Sequence, residues 1–241
     1  MGTEPQPLLG RTALVTGASR GLGRGMVLAF AEAGASVVIA SRTLDAAEAL
    51  ASDVADRFGC DALPVAADMS RWEDCDTLVD AAYDRFDRVD VLVNNAGVSP
   101  LYPSLDQVTE ARYDETLAVN LKGPFRLTAL VGSRMAVDGG GSIINISSVE
   151  AAQPDPAALP YAAAKAGLEA LTLGFANAFG PTVRVNTIRC GMIRAGFMTT
   201  IGDPGVANEA EDVVGAVLYL ATDASAYRTS ATIRLDAGRS R

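Results

Sequence analysis

Apolar residues in this chain gather into short runs rich in Val, Ile and Thr. The longer stretches between them space their apolar positions three and four apart. TALVTG (12–17), SVVIA (36–40), ALPVAA (62–67), VDVLVNN (89–95), SIINIS (142–147), VRVNTI (183–188) and TIRLD (232–236) read as strands. Between the first two, Leu22, Met26, Ala29 and Phe30 repeat at helical spacing. Ser70 and Glu73 match an S-x-x-E capping box, which predicts a helix opening before Trp72 and Leu78. Several strands are nearly continuous in apolar residues, as happens when helices cover both faces of a sheet. This alternation predicts the α/β class: a Rossmann-like, doubly wound parallel sheet of about seven strands with helices on both faces. No linker, repeat or low-complexity tract interrupts it, so we expect an N-terminal tail (1–9) and one domain (10–241).

Composition narrows the partners. Over 241 residues, 49% are hydrophobic and 20% charged, which fits a large buried core. A formal charge of −9 and the lack of any basic block oppose nucleic-acid or anionic-membrane binding. Cys60, Cys75 and Cys190 have neither metal-like nor redox-like spacing and are expected to be reduced, packed thiols. No metal site is expected. No secretory signal is visible and the apolar runs are far too short to span a bilayer, so the expectation is a soluble, cytoplasmic protein.

Chemistry enters at LVTGASRGLGRG, where Gly17, Gly21 and Gly23 lie between the first strand and the first helix. Glycines there let a backbone approach a pyrophosphate resting on the helix N-terminus. The spacing, G-x-x-x-G-x-G, differs from the usual dinucleotide fingerprint. The second strand ends in Ser41 and Arg42. An acidic residue there would serve the ribose hydroxyl of NAD and repel a 2′-phosphate, whereas a guanidinium attracts that phosphate. With Arg20 as a second cation, the reading is NADP(H) in preference to NAD(H).

The chain has no histidine. Acid–base chemistry would need another carrier, and PYAAAKAGLEALTLGFA (160–176) offers Tyr161 and Lys165 one helical turn apart. Tyr161, Ala164, Leu168, Leu171 and Phe175 share an apolar stripe, which points Tyr161 inward. A phenol working near neutrality needs its pKa lowered by about 3, equivalent to about 4 kcal/mol. One ammonium at about 5 Å in an effective dielectric of about 20 supplies roughly 3 kcal/mol. On spacing alone, a core tyrosine beside a snorkelling lysine fits equally well. Ser147 and Ser148 at one strand end could polarise a carbonyl. Asn120 sits in a helical stretch, where asparagine needs a reason.

Together these pieces resemble the short-chain dehydrogenase/reductase family in its compact form, over residues 10 to about 238. The likeness rests on TGASRGLG (16–23), Asp68-Met69, NNAG (94–97), Asn120, Ser148 and YxxxK (161–165), in that order. Ser148 precedes Tyr161 by 13 residues, the family's interval, and is therefore preferred to Ser147. The resemblance implies hydride transfer between a nicotinamide and a carbonyl carbon, with Tyr161 as proton donor. It implies that Ser148 bonds the reacting oxygen, that Lys165 tunes Tyr161 and holds the ribose, and that Asn120 positions a relay water. It assigns cofactor contacts to Gly17, Ser19, Arg20, Gly21, Leu22, Gly23, Ser41, Arg42, Asp68 and Met69. Asn95, Ala96, Gly97, Tyr161, Lys165, Cys190, Gly191 and Ile193 complete that set. The family's Pro-Gly is here Cys190-Gly191, and its expected threonine is Ala195, which removes one hydrogen bond worth about 1 kcal/mol unless Thr199 substitutes. Cys190 is either a reactive thiol or a packed one. The stretch 192–211 is expected to be a short substrate lid.

The leading expectation is an NADP(H)-dependent enzyme interconverting a ketone or aldehyde and an alcohol. A 3-oxoacyl-[acyl-carrier-protein] or acyl-CoA reductase is the alternative. Against an acidic carrier, the helix after Lys165 has no Lys or Arg before Pro181 and contains Glu169. A non-catalytic NADP(H) sensor is the reading from another class. The family's habit of pairing the helices at about 109–136 and 159–179, with Leu171, Phe175 and Phe179 as apolar surface, implies a homodimer or homotetramer.

Overall fold

Each strand's side chains alternate between two faces, and in the inner strands both faces are dry. In β1 (Thr12–Thr16), Ala13 and Val15 join one core while Leu14 joins the other. The same split divides Val37 and Ile39 from Val38 in β2 (Ser36–Ser41), and Val91 and Val93 from Leu92 in β4 (Val91–Asn94). Helices therefore have to cover both sides. The first core is closed by α1 (Gly21–Glu32), α2 (Leu44–Phe58) and α7 (Ala210–Ala221). The second is closed by α3 (Trp72–Phe86), α5 (Gly123–Val137) and α6 (Leu159–Phe179). The computed structural model describes residues 6–191 and 210–238.

With β3 (Ala62–Ala66), β5 (Gly141–Ser148), β6 (Val183–Cys190) and β7 (Thr232–Leu235), these strands form one seven-stranded sheet. Its order is β3-β2-β1-β4-β5-β6-β7 and every pairing is parallel. Pro64 fits in β3 because that strand is at the sheet's edge. The order reverses between β1 and β4, and a crevice opens there at the strands' carboxyl ends. Within the expected tail, Leu8 is 2% exposed and its N–H donates to Ala33 O at 3.0 Å, so this residue packs on the domain.

One local reading needs correction and another needs detail. The Ser70–Glu73 capping box does not form: α3 starts at Trp72, with Arg71 at the N-cap and no side-chain cap. Asp68 and Asp74 organise this turn instead. Asp68 Oδ1 accepts from Ser70 N–H at 2.9 Å, and Asp74 Oδ2 reaches back to Asp68 N–H at 3.0 Å. The helix expected over 109–136 forms, but a π turn interrupts its regular α spacing. This turn (Ala118–Lys122) separates α4 (Glu110–Leu117) from α5. Asn120 causes it: its Nδ2 donates to Thr116 O at 2.9 Å, the carbonyl that the residue's own backbone N–H would take in an α-helix.

Candidate active site

A cleft of about 700 Å³ lies at the β1/β4 switch point. Gly17 and residues 19–23 form one wall, Ser41 and Arg42 one end, and Asp68, Met69 and residues 95–97 the other side. Every cofactor contact expected before residue 100 therefore lines a single cavity. Thr43, Ala46, Ala67, Val98 and Val119 line it too, and none has a local sequence signal.

The glycines are needed for two different reasons. Gly17 has φ +61, and a Cβ there would approach Ala96 Cα to 2.8 Å. At Gly23 a Cβ would strike the Gly17 carbonyl and come within 2.7 Å of Asn95 Nδ2. The loop is braced from β4: Asn95 Nδ2 donates to Thr16 O at 2.8 Å and Gly17 O at 3.2 Å. Thr16 Oγ1 accepts from the N–H groups of Asn95 and Ala96, each at 3.0 Å. Thr16 is thus a latch that the sequence did not reveal. The donor set and the cradle a Cβ would fill fit a dinucleotide, and the cavity adds the volume. At the far end Ser41 Oγ donates to Ser19 Oγ at 3.0 Å, and Arg20 and Arg42 are both exposed.

The expected catalytic group adjoins this cleft. Ser148 and Cys190 are cross-strand partners at the ends of β5 and β6. Ser148 lies near enough to the Tyr161 hydroxyl to pull its pKa down. Ser147, on the opposite face, instead donates to Glu169 Oε1 at 2.8 Å, which supports preferring Ser148. Lys165 is 3% exposed; its Nζ donates to Ile146 O at 2.8 Å and lies 5.6 Å from the Tyr161 ring centroid. Asn120 is fully buried and donates to Val98 O at 2.8 Å. Its Oδ1 has no hydrogen-bond partner among the described residues. Gly97 joins the two regions: a Cβ there would lie 2.9 Å from Asn120 Oδ1 and 3.7 Å from Lys165 Nζ.

Electrostatics depart from the simple expectation. Burial pushes Tyr161 up to about 12, against which the neighbouring Ser148 hydroxyl pulls down. The Lys165 ammonium faces the ring and the Ile146 carbonyl, and burial takes its own pKa down to about 8. The chain's own residues therefore hold the tyrosine protonated. Cys190 is 4% exposed and pushed up to about 12 by burial, which makes it a packed thiol, not a nucleophile. Gly191 N–H continues the β6 ladder to Leu235 O at 2.8 Å. Ile193, Ala195, Thr199 and the expected lid at 192–211 lie outside the described residues, save for the start of α7.

Below the site runs a buried polar network with no counterpart in the sequence reading. Asn94 Nδ2 donates to Thr128 Oγ1 at 3.0 Å and Asn145 Oδ1 at 2.8 Å. Asn145 Nδ2 donates to Thr172 Oγ1 at 2.8 Å, and Thr172 meets Thr187 at 2.7 Å. Glu169, expected as a surface acid, turns inward, where Arg189 binds it through both nitrogens, Nε to Oε1 at 2.9 Å.

A doubly wound sheet with a glycine cradle and a buried Tyr–Lys pair at its carboxyl edge defines the class of nicotinamide-dependent oxidoreductases. Comparison with known proteins gives the family. The short chain dehydrogenase family matches residues 11–204. The chain is 35% identical to an L-rhamnose 1-dehydrogenase (NAD(P)(+)) of Azotobacter vinelandii, over 96% of this chain and 97% of that one. It is 34% identical to a 3-oxoacyl-[acyl-carrier-protein] reductase of Synechocystis, over 96% and 97%. A 3-ketoacyl-(acyl-carrier-protein) reductase of Brucella melitensis, solved with NADH, superposes with a TM-score of 0.90 at 31% identity, over 97% of this chain and all of that one. The chain belongs to the short-chain dehydrogenase family and is an oxidoreductase.

Proposed function

We propose that this protein is an NADP(H)-dependent reductase or dehydrogenase that interconverts a ketone or aldehyde and an alcohol, with Tyr161 as general acid and base. The observation that carries the reading is the meeting of Ser148, Tyr161 and Lys165 where the glycine-lined cleft ends at Gly97. When bound, the nicotinamide supplies or accepts the hydride. Tyr161, protonated in this environment, gives its proton to the carbonyl oxygen, and Ser148 donates a hydrogen bond to the charge developing there. Lys165 holds the ribose and orients the tyrosine. Asn120 Oδ1 and Lys165 Nζ, both beside Gly97, would hold a water that returns protons to Tyr161. Arg20 and Arg42, with Ser41 in place of an acid, favour a 2′-phosphate.

NADPH oxidation against a panel of ketones, run beside NADH, tests this reading. Tyr161→Phe should lower kcat at least a thousandfold while leaving the nucleotide Kd within about twofold. Substantial residual turnover would remove Tyr161 from its role, and nucleotide binding without turnover across the panel would favour a sensor. A 3-oxoacyl-carrier reductase is the second reading, supported by the likeness to two such enzymes. The inward-facing Glu169 no longer argues against a carrier, but the lack of Lys and Arg on α6 after Lys165 still does.

Copies of the chain are proposed to pair through α5 and α6. A groove lined by Leu117, Leu121, Phe125, Gly167 and Leu171 adjoins the ring series Trp72–Phe125–Phe175–Phe179, and Trp72 and Phe125 stay 36% and 40% exposed. Light scattering should give a dimer or tetramer; a monomer at micromolar concentration refutes this. A cytoplasmic setting suits three unpaired thiols. Among the described residues no helix is long and apolar enough to cross a membrane.

A further inference from the structure

We propose that Glu150 sets the substrate class: its carboxylate accepts a hydroxyl of an uncharged, hydroxylated ketone or alcohol and turns away substrates with a carboxylate or phosphate beside the carbonyl. This rests on the reading of Tyr161 as proton donor and adds which substrates that tyrosine meets.

Placement carries the argument. β5 ends at Ser148, and Glu150 N–H donates to Ser148 Oγ at 3.2 Å, beside the Tyr161 hydroxyl on which both residues act. Glu150 is therefore one backbone hydrogen bond from the proposed Ser–Tyr pair. Its side chain is half-buried and held: Oε2 accepts from Asp155 N–H at 2.6 Å, which fixes the carboxylate against the loop leading into α6. Glu169, the other carboxylate near this strand end, is neutralised by Arg189, whereas Glu150 has no ion-pair partner among the described residues. Residues 135–164 contain no Lys or Arg, and Asp155 adds a second carboxylate to the same loop. A partly desolvated carboxylate with a free oxygen is an acceptor for hydroxyl groups and a repulsive wall for anions.

Tyr161 responds to this charge. Ser148 pulls its pKa down; Cys190 from β6 and Glu150 from the loop push it up, and Lys165 lies beside the ring on its own helix. Neutralising Glu150 therefore shifts the tyrosine's ionisation to lower pH, which a mere loop staple would not do.

The test compares wild type with Glu150→Gln, whose amide oxygen can still accept from Asp155 N–H. The probes are α-hydroxy ketones, the matching simple ketones and the matching α-keto acids across a range of chain length. Wild type should prefer the hydroxy ketones and use the keto acids least. In the variant, kcat/KM for keto acids relative to hydroxy ketones should rise about tenfold. The rise of the alcohol-oxidation rate with pH, which follows ionisation of Tyr161 to the base, should move to lower pH. An unchanged ratio, or one that changes while this rise stays fixed, overturns the assignment. Wild-type preference for keto acids overturns it as well. If wild type reduces no carbonyl compound while binding the nucleotide, the reductase reading itself fails and this assignment falls with it.

Discussion

Lys165 is placed where a folded protein least tolerates a charge, and replacing it should separate stability from activity. The residue is 3% exposed, and burial takes its pKa from 10.5 to about 8. That difference corresponds to about 3 kcal/mol of folding stability forgone when the lysine is charged. The sign is fixed by the lowered value. The folded state resists protonation, so the lysine's stabilising contribution is complete above about 10.5 and lost as pH falls through about 8. At pH near 7 wild type therefore carries the whole penalty. Lys165→Met removes it but leaves the Ile146 carbonyl without its side-chain donor, which costs about 1 kcal/mol. The net expectation is a variant about 2 kcal/mol more stable near neutrality and without reductase activity. The gain should shrink by about 1.4 kcal/mol per pH unit above pH 8 and vanish before pH 10. Urea unfolding of both proteins without nucleotide, from pH 6.5 to about 9.5, measures the difference. Tyr161 and Cys190, both raised to about 12, stay protonated in the folded state over this window and cancel in that difference. A variant less stable than wild type at pH 7, by an amount that does not change with pH, would refute the reasoning.

Two further outcomes follow from the same geometry. Ser41→Asp with Arg42→Ala places a carboxylate where the two arginines and two serines now meet, and should change the NADPH-to-NADH ratio of kcat/KM at least tenfold toward NADH; steady-state kinetics with both cofactors checks it. Thr172→Val preserves shape but leaves Asn145 Nδ2 without its acceptor and Thr187 without its partner, and should lower stability by about 2 kcal/mol with little change in the urea m-value.

The inner strands were legible because both of their faces are buried, so composition alone marked them, and the edge strands β3 and β7 were legible from their short β-branched runs. The glycine loop was legible because one short segment carries the whole cradle. What stayed hidden depends on partners far apart in the chain. Nothing local marks Asn94 and Asn145 as a pair, yet they bond each other across 51 positions of sequence. Glu169 looked like a surface acid because Arg189, which neutralises it, lies 20 residues on and in another element. The Ser70–Glu73 pattern was sound locally but does not form, because carboxylates organise the turn: Asp74 takes the Asp68 N–H and Asp68 takes that of Ser70. Asn120 was marked as misplaced in a helix, and the π turn explains why, but no local pattern gives its contact with Val98.

The inward face of α6 also differs from the apolar stripe that periodicity suggests. Ala164 and Leu168 are buried as expected, but Lys165, Glu169 and Thr172 face the sheet as well, at successive turns. Each is tethered to β5: Lys165 to the Ile146 carbonyl, Glu169 to Ser147, Thr172 to Asn145. Glu169 and Thr172 add β6 through Arg189 and Thr187. These bonds are directional where apolar packing is not, so they fix the helix in register along its axis as well as against the sheet. Tyr161 sits at the free N-terminal end of that tethered helix, one turn before Lys165, and Ser148 sits at the end of the strand to which the helix is tied. The distance between the Tyr161 and Ser148 hydroxyls is thus set by the buried polar ladder beneath them. Lys165 is its last rung, which is why the helix retains there a charge that costs stability.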